Sequence, residues 1–170
     1  MNLYLTGMPG SGKTTWGKKI ASTYHLPFFD LDHYIEQKQG KTITTIFEEE
    51  GEAGFRSVES EALREIIFNH KQPLVLSCGG GTSINSDNFS FLKNTGYIVY
   101  LKATTETLLS NMHQSFASRP LLNLPDPERR LIELYQQRKT VYEQADYTLQ
   151  AESLSIQDFD PILQLCTKQL

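Results

Sequence analysis

MNLYLTGMPGSGKTTWG, residues 1 to 17, sets a lysine inside a cluster of glycines, and the rest of the chain is best read outward from it. The apolar run Leu3 to Leu5 is short and bounded, as a buried strand is. Gly7-Met8-Pro9-Gly10-Ser11-Gly12-Lys13-Thr14 then fits the Walker A spacing without a gap, and a helical pattern runs on from Thr14. Glycine lets the backbone turn its amides inward, and no Cβ holds a phosphate at a distance. The helix that follows adds the positive end of its dipole and its unpaired amides. Lys13 is expected to reach the β- and γ-phosphates, and the Thr14 hydroxyl to bind Mg²⁺ directly. The plain alternative is a glycine turn between strand and helix. Four fixed positions in the required strand–loop–helix context weigh against it. Gly10, Ser11, Gly12, Lys13, Thr14 and Thr15 are therefore read as the binding residues for a nucleoside triphosphate.

Beyond this stretch, strand-like apolar runs alternate with helical ones. Strands are expected at Leu26 to Phe29, Leu74 to Leu76, Tyr97 to Leu101 and Tyr147 to Leu149. Helices are expected from Thr14 to Tyr24, over much of His33 to His70, from Ser86 to Lys93, after the N-cap Thr104, from Glu128 to Gln144 and from Asp158 to Lys168. This alternation predicts a three-layer α/β/α fold around a mainly parallel five-stranded sheet. Ligands of such sheets bind beyond the carboxyl ends of the strands, so further site residues belong just after strands. With 170 residues, the chain is read as a single domain over 1–170.

Composition narrows the partners. Net charge is −4 and no block of Lys and Arg stands out, so nucleic acid is not expected. No apolar run approaches membrane-spanning length, and the first residues read as strand and loop rather than as a signal peptide. Two cysteines, Cys78 and Cys166, make no disulfide framework, which suits a reducing cytoplasm. The four histidines have no metal-ligand spacing and are read as surface or helix-end residues. No long apolar face argues for a dimer, so a monomer is expected.

Several features fall where the sheet rule puts them. Phe29-Asp30-Leu31-Asp32 sets two carboxylates two residues apart at a strand end, and in extended chain both would point the same way. Beside a Walker loop, one can hold Mg²⁺ through water while the other receives a substrate hydroxyl. The third strand ends in Ser77-Cys78-Gly79-Gly80-Gly81-Thr82, with Ser77 where a P-loop ATPase usually carries its Walker B Asp. Three consecutive glycines are entropically expensive and suit a place where backbone approaches a ligand closely. Arg56 opens a helix in Gly51-Glu52-Ala53-Gly54-Phe55-Arg56. Arg138 lies on the long helix, in Gln137-Arg138-Lys139-Thr140-Val141-Tyr142. Arg119 lies in Ser118-Arg119-Pro120-Leu121-Leu122, within an irregular segment from Ser115 to Pro127 that carries three prolines. Taken singly, each arginine is an ordinary surface charge.

Together these residues resemble the shikimate kinase family. The resemblance runs over nearly the whole chain, through the Walker loop, FDLD, GEAGFR, SCGGG, SRPLL and QQRKTVY. It implies ATP-dependent phosphorylation of the 3-hydroxyl of shikimate, with Mg²⁺ as cofactor, in the chorismate route to aromatic amino acids. It implies that Asp32 holds the acceptor hydroxyl and Asp30 stands near Mg²⁺, with Ser77 also reaching the ion through water. It implies that Arg56 and Arg138 grip the substrate carboxylate over a floor of Gly79, Gly80 and Gly81. The helical region 33–70 then serves the acceptor. Residues 115–127 become a lid whose Arg119 closes on the ATP phosphates. A gluconate kinase of the same architecture is the nearest alternative; a GTP-operated switch would carry an Asn-Lys-x-Asp motif, which is absent. The chain departs from the family pattern at Met112, where an arginine often lies against adenine, so a loosely held base and a weak preference for ATP are expected.

Overall fold

The computed structural model describes residues 1–112 and 126–167. Its sheet has five parallel strands: β1 (Asn2–Thr6), β2 (Phe28–Asp30), β3 (Val75–Ser77), β4 (Gly96–Lys102) and β5 (Tyr147–Gln150), in the order β2-β3-β1-β4-β5. The helices are α1 (Lys13–Tyr24), α2 (Leu31–Gln39), α3 (Ile43–Asn69), α4 (Ser86–Thr95), α5 (Thr105–Met112), α6 (Pro127–Tyr142) and α7 (Asp160–Thr167).

Strand alternation builds the layers. Leu3 and Leu5 of β1, Val75 of β3, and Val99 and Leu101 of β4 point to one face, where they pack with Ile20 and Ala21 of α1 and with Ile162 and Leu163 of α7. Tyr4, Leu76 and Ile98 point the other way, into a cluster with Leu63 and Ile66 of α3 and Leu92 of α4. Tyr100 joins Leu108 of α5 and Leu131 and Leu134 of α6 on that second side. Both faces are covered, as an all-parallel sheet requires. β1 is buried throughout and lies at the centre, paired with β3 on one side and β4 on the other. The loop that follows β1 is therefore anchored at the middle of the sheet's carboxyl edge.

Three expectations change in detail. The second strand begins later than expected and ends at Asp30. Asp30 is the N-cap of α2, accepting from the His33 amide, and Asp32 stands in the helix's first turn. The pair is thus not carried on one extended strand, because capping ends the strand between them. The helical region 33–70 resolves into α2 and α3, and α3 breaks at Gly51 (φ 69°, ψ −178°), a backbone shape that excludes most other residues. The segment 115–127 read as a lid, with Arg119, falls outside the described residues apart from its last two. Of these, Asp126 caps α6 by accepting from the Arg129 amide, and Pro127 opens that helix.

Candidate active site

The phosphate loop takes its shape from glycines in left-handed or similarly restricted backbone. Gly10 and Gly12 have φ of 84° and 86°, and Gly7 has φ 142°. A Cβ at Gly7 would stand 2.7 Å from the Leu101 carbonyl oxygen, and one at Gly10 2.9 Å from Met112 Cγ. The loop is thus pressed between β4 and α5. Gly12 is the N-cap of α1 and offers no side chain to its opening amides, and no acidic residue stands in the first turn. Those amides and the positive end of the helix dipole suit an anion. Lys13 folds back beneath the loop, 9% exposed, and its Nζ donates to the carbonyl oxygens of Gly7 (3.0 Å) and Met8 (2.9 Å).

Thr14 faces β2 and β3. Its hydroxyl donates to Asp30 Oδ2 at 2.5 Å and lies 3.4 Å from Ser77 Oγ. The three residues read as Mg²⁺ contacts therefore meet, although they come from α1, β2 and β3. Their donors are all oxygens, and no cluster of three acidic, His or Cys side chains is present among the described residues. That is the donor chemistry of an ion that keeps most of its water, as Mg²⁺ does. A cavity of about 710 Å³ opens over this group. Gly10, Gly12, Lys13, Thr14, Thr15, Asp30, Asp32, Ser77 and Gly80 line it, together with Trp16, Asn111 and Met112. Ser11 is buried beside it.

The run of three glycines admits neighbours rather than empty space. A Cβ at Gly79 would sit 2.7 Å from Asp32 Oδ1 and 3.0 Å from Glu59 Oε1. One at Gly80 would meet Pro9, and one at Gly81 would stand 2.5 Å from the Arg56 guanidinium. Arg56 and Arg138 converge here from α3 and α6. Arg56 Nη1 donates to Glu59 Oε2 at 2.7 Å, and its Nη2 to Glu52 Oε1 at 3.3 Å. Arg138, 8% exposed, donates to the Gly80 carbonyl at 3.0 Å, which also accepts from the Tyr142 hydroxyl. Burial pushes the Tyr142 phenol up to about 12, while the charges of Arg138 and Arg56 pull it the other way. Neither arginine lines the cavity over the phosphate loop; both lie at the glycine run, held there by these partners.

Glu59 was not anticipated. It is 1% exposed and accepts from Thr82 Oγ1 at 2.7 Å as well as from Arg56. Burial raises its carboxyl above the usual range, and the Arg56 charge and the Thr82 hydrogen bond work against that rise. Its spacing held a signal: Glu52, Arg56 and Glu59 are four and three residues apart, one face of a helix. Glu59→Ala should lower unfolding stability by about 3 kcal/mol, because it leaves the half-buried Arg56 guanidinium with exposed Glu52 alone and strands a buried hydroxyl. Urea denaturation measures the loss. A change within experimental error would mean that Glu52 alone compensates Arg56.

Met112 reaches the cavity at the end of α5. It is 2% exposed, in the cluster of Tyr100, Leu108 and Leu131, so its side chain serves the core more than the cavity. Arg119 lies outside the described residues.

Residues 9–167 match the family described as shikimate kinase. A shikimate kinase of Caldanaerobacter subterraneus subsp. tengcongensis is 40% identical over 159 residues, covering 92% of this chain and 90% of that protein. One of Neisseria meningitidis serogroup C is 44% identical over 151 residues, covering 88% and 86%. Among solved structures, shikimate kinase from Acinetobacter baumannii in complex with shikimate superposes with a TM-score of 0.87 at 40% identity, covering 96% of this chain and 91% of its own. A gluconokinase from Sinorhizobium meliloti shares the fold at a TM-score of 0.59 and 15% identity, covering 99% and 94%.

Proposed function

The chain belongs to the shikimate kinase family, and from that premise we propose that it transfers the γ-phosphoryl group of ATP to the 3-hydroxyl of shikimate. The products are shikimate 3-phosphate and ADP. The position of Asp32 carries the reading. Its carboxylate lines the cavity shared with Lys13 and Thr14, and lies against Gly79 of the glycine run that Arg56 and Arg138 approach. An acceptor gripped by Arg56 and Arg138 would thus present a hydroxyl to Asp32 at the γ-phosphate.

Phosphoryl transfer passes through a loose transition state, so positioning and charge do most of the work. The loop amides, Lys13 and Arg119 bind and neutralise the triphosphate. Thr14, with Asp30 and Ser77 through water, would hold Mg²⁺, which when bound supplies positive charge to the phosphate oxygens. Asp32 aims the hydroxyl in line and takes its proton late. On the acceptor side, planar guanidinium groups fork onto a carboxylate with parallel hydrogen bonds. Arg56 exchanges exposed Glu52 for the substrate while Glu59 keeps the guanidinium in place. The unit is read as one kinase domain over 1–170, monomeric and cytoplasmic, acting in the chorismate route, with nucleic acid not among its partners.

A purified-protein assay with shikimate, gluconate and CMP as acceptors tests the reading. Turnover with shikimate alone is expected; turnover with gluconate in its place would overturn it. Arg56→Lys and Arg138→Lys should each raise the KM for shikimate about tenfold or more and leave that for ATP nearly unchanged, since Lys keeps the charge but loses the fork. If both variants bind shikimate like the parent in calorimetry, these arginines are not the carboxylate clamp.

A further inference from the structure

Trp16 is the single tryptophan of the chain, and it has no part in the chemistry above. Among the described residues it is also the one aromatic side chain lining the cavity over the phosphate loop. Its direction follows from the helix. At about 100° per residue, Trp16 leaves α1 on the side opposite Thr14. Thr14 turns to Asp30 at the end of edge strand β2. Trp16 turns toward the other edge and meets Phe159, between β5 and α7, with ring centroids 6.0 Å apart at 37°. The cavity lining therefore includes the carboxylates of Asp30 and Asp32, the phosphate loop, and an indole that leaves α1 on the side away from Asp30.

The indole is braced but not buried. The Lys19 ammonium stands 4.6 Å from its centroid. A Cβ at Gly12 would stand 3.4 Å from its Cδ1 and 3.9 Å from its Nε1, so the ring edge runs along the loop itself. It stays partly exposed. A triphosphate whose γ-phosphate points to Asp32 must leave the loop with its nucleoside at the opposite end. Met112, packed into the core, offers little of its surface there. We propose that Trp16 is the nucleobase contact, the base of the donor nucleotide packing against the indole. This rests on the phosphate loop being the triphosphate site. Aromatic packing accepts any base, because every base has a π-face, so discrimination between ATP and GTP should be weak.

Two measurements on the full chain test this. Trp16 reports alone, so its fluorescence can be titrated with ADP, GDP and inorganic tripolyphosphate, with binding of each followed in parallel by calorimetry. ADP and GDP should change the emission at saturation, whereas bound tripolyphosphate should not. Trp16→Leu should weaken ADP about tenfold, from what a base–aromatic contact is worth, and leave tripolyphosphate affinity unchanged. The proposal is overturned if tripolyphosphate changes the emission as ADP does, or if the folded variant binds ADP like the parent. The emission comparison needs no variant, so it decides even if losing the contact with Phe159 unfolds the substituted chain. A chain that binds neither ADP nor tripolyphosphate would overturn the triphosphate reading and this proposal with it. A chain that binds both with equal affinity would overturn the Trp16 contact alone.

Discussion

Lys13→Ala should reduce turnover by about 10²–10³-fold, the usual result of removing one preorganised charge from a developing transition state. The ammonium is already held at the loop by the Gly7 and Met8 carbonyls, so it reorganises little when phosphates arrive. Its burial adds a second effect that the motif alone does not suggest. Two loop carbonyls lose a donor, at about 1 kcal/mol each or less if water replaces it. The variant should therefore unfold slightly more easily while losing nearly all activity. A steady-state assay alongside urea denaturation separates the two. Turnover at the parent level in a folded variant would remove Lys13 from the phosphate site.

Asp32→Asn should lower kcat by roughly 10²–10⁴-fold, the range for loss of a positioned general base, while KM for shikimate changes little. The amide keeps the shape of the carboxylate but accepts no proton. Its place in the first turn of α2 also favours the native residue, because a negative charge suits a helix N-terminus. That contribution is small beside the kinetic loss, so stability should fall only slightly. If the variant retained parental turnover across a pH series, Asp32 would be a helix-start residue with no part in proton transfer.

What the sequence discloses depends on how far apart the cooperating residues lie. The phosphate loop was legible because its geometry is local: glycines, Lys13 and Thr14 act within one strand–loop–helix passage. The five strands and the two-sided layering followed from the alternation of apolar runs. Asp30 was correctly placed at a strand end, but Asp32 stands in the first turn of a helix beginning at Leu31 that was not foreseen, since Asp30 serves as both strand terminus and cap. Arg56 and Arg138 could be paired only through the family resemblance. They come from α3 and α6 and meet at the glycine run, a contact that no local pattern encodes. Glu59 escaped for the same reason: its role depends on Thr82, 23 residues away, and on burial that appears only once α3 packs. The glycines Gly79 to Gly81 were singled out for closeness to a ligand; the closeness realised in the fold is to Asp32, Glu59, Pro9 and Arg56.

The central position of β1 bears on how the chain is made. Its first strand has no partner until later ones exist: β3 begins at Val75 and β4 ends at Lys102. During synthesis at about 5–20 residues per second, the apolar Leu3 to Leu5 segment waits on the order of 5–20 s before both neighbours have been polymerised. In that interval the glycine loop has no β4 or α5 to press against, so it has no reason to adopt its nucleotide-binding shape. Nascent chains that end before β4 is made should accordingly carry an unprotected strand and a slack loop, and depend on chaperones. Nucleotide affinity then arises late and abruptly, when β3 and β4 close on either side of β1 and its loop.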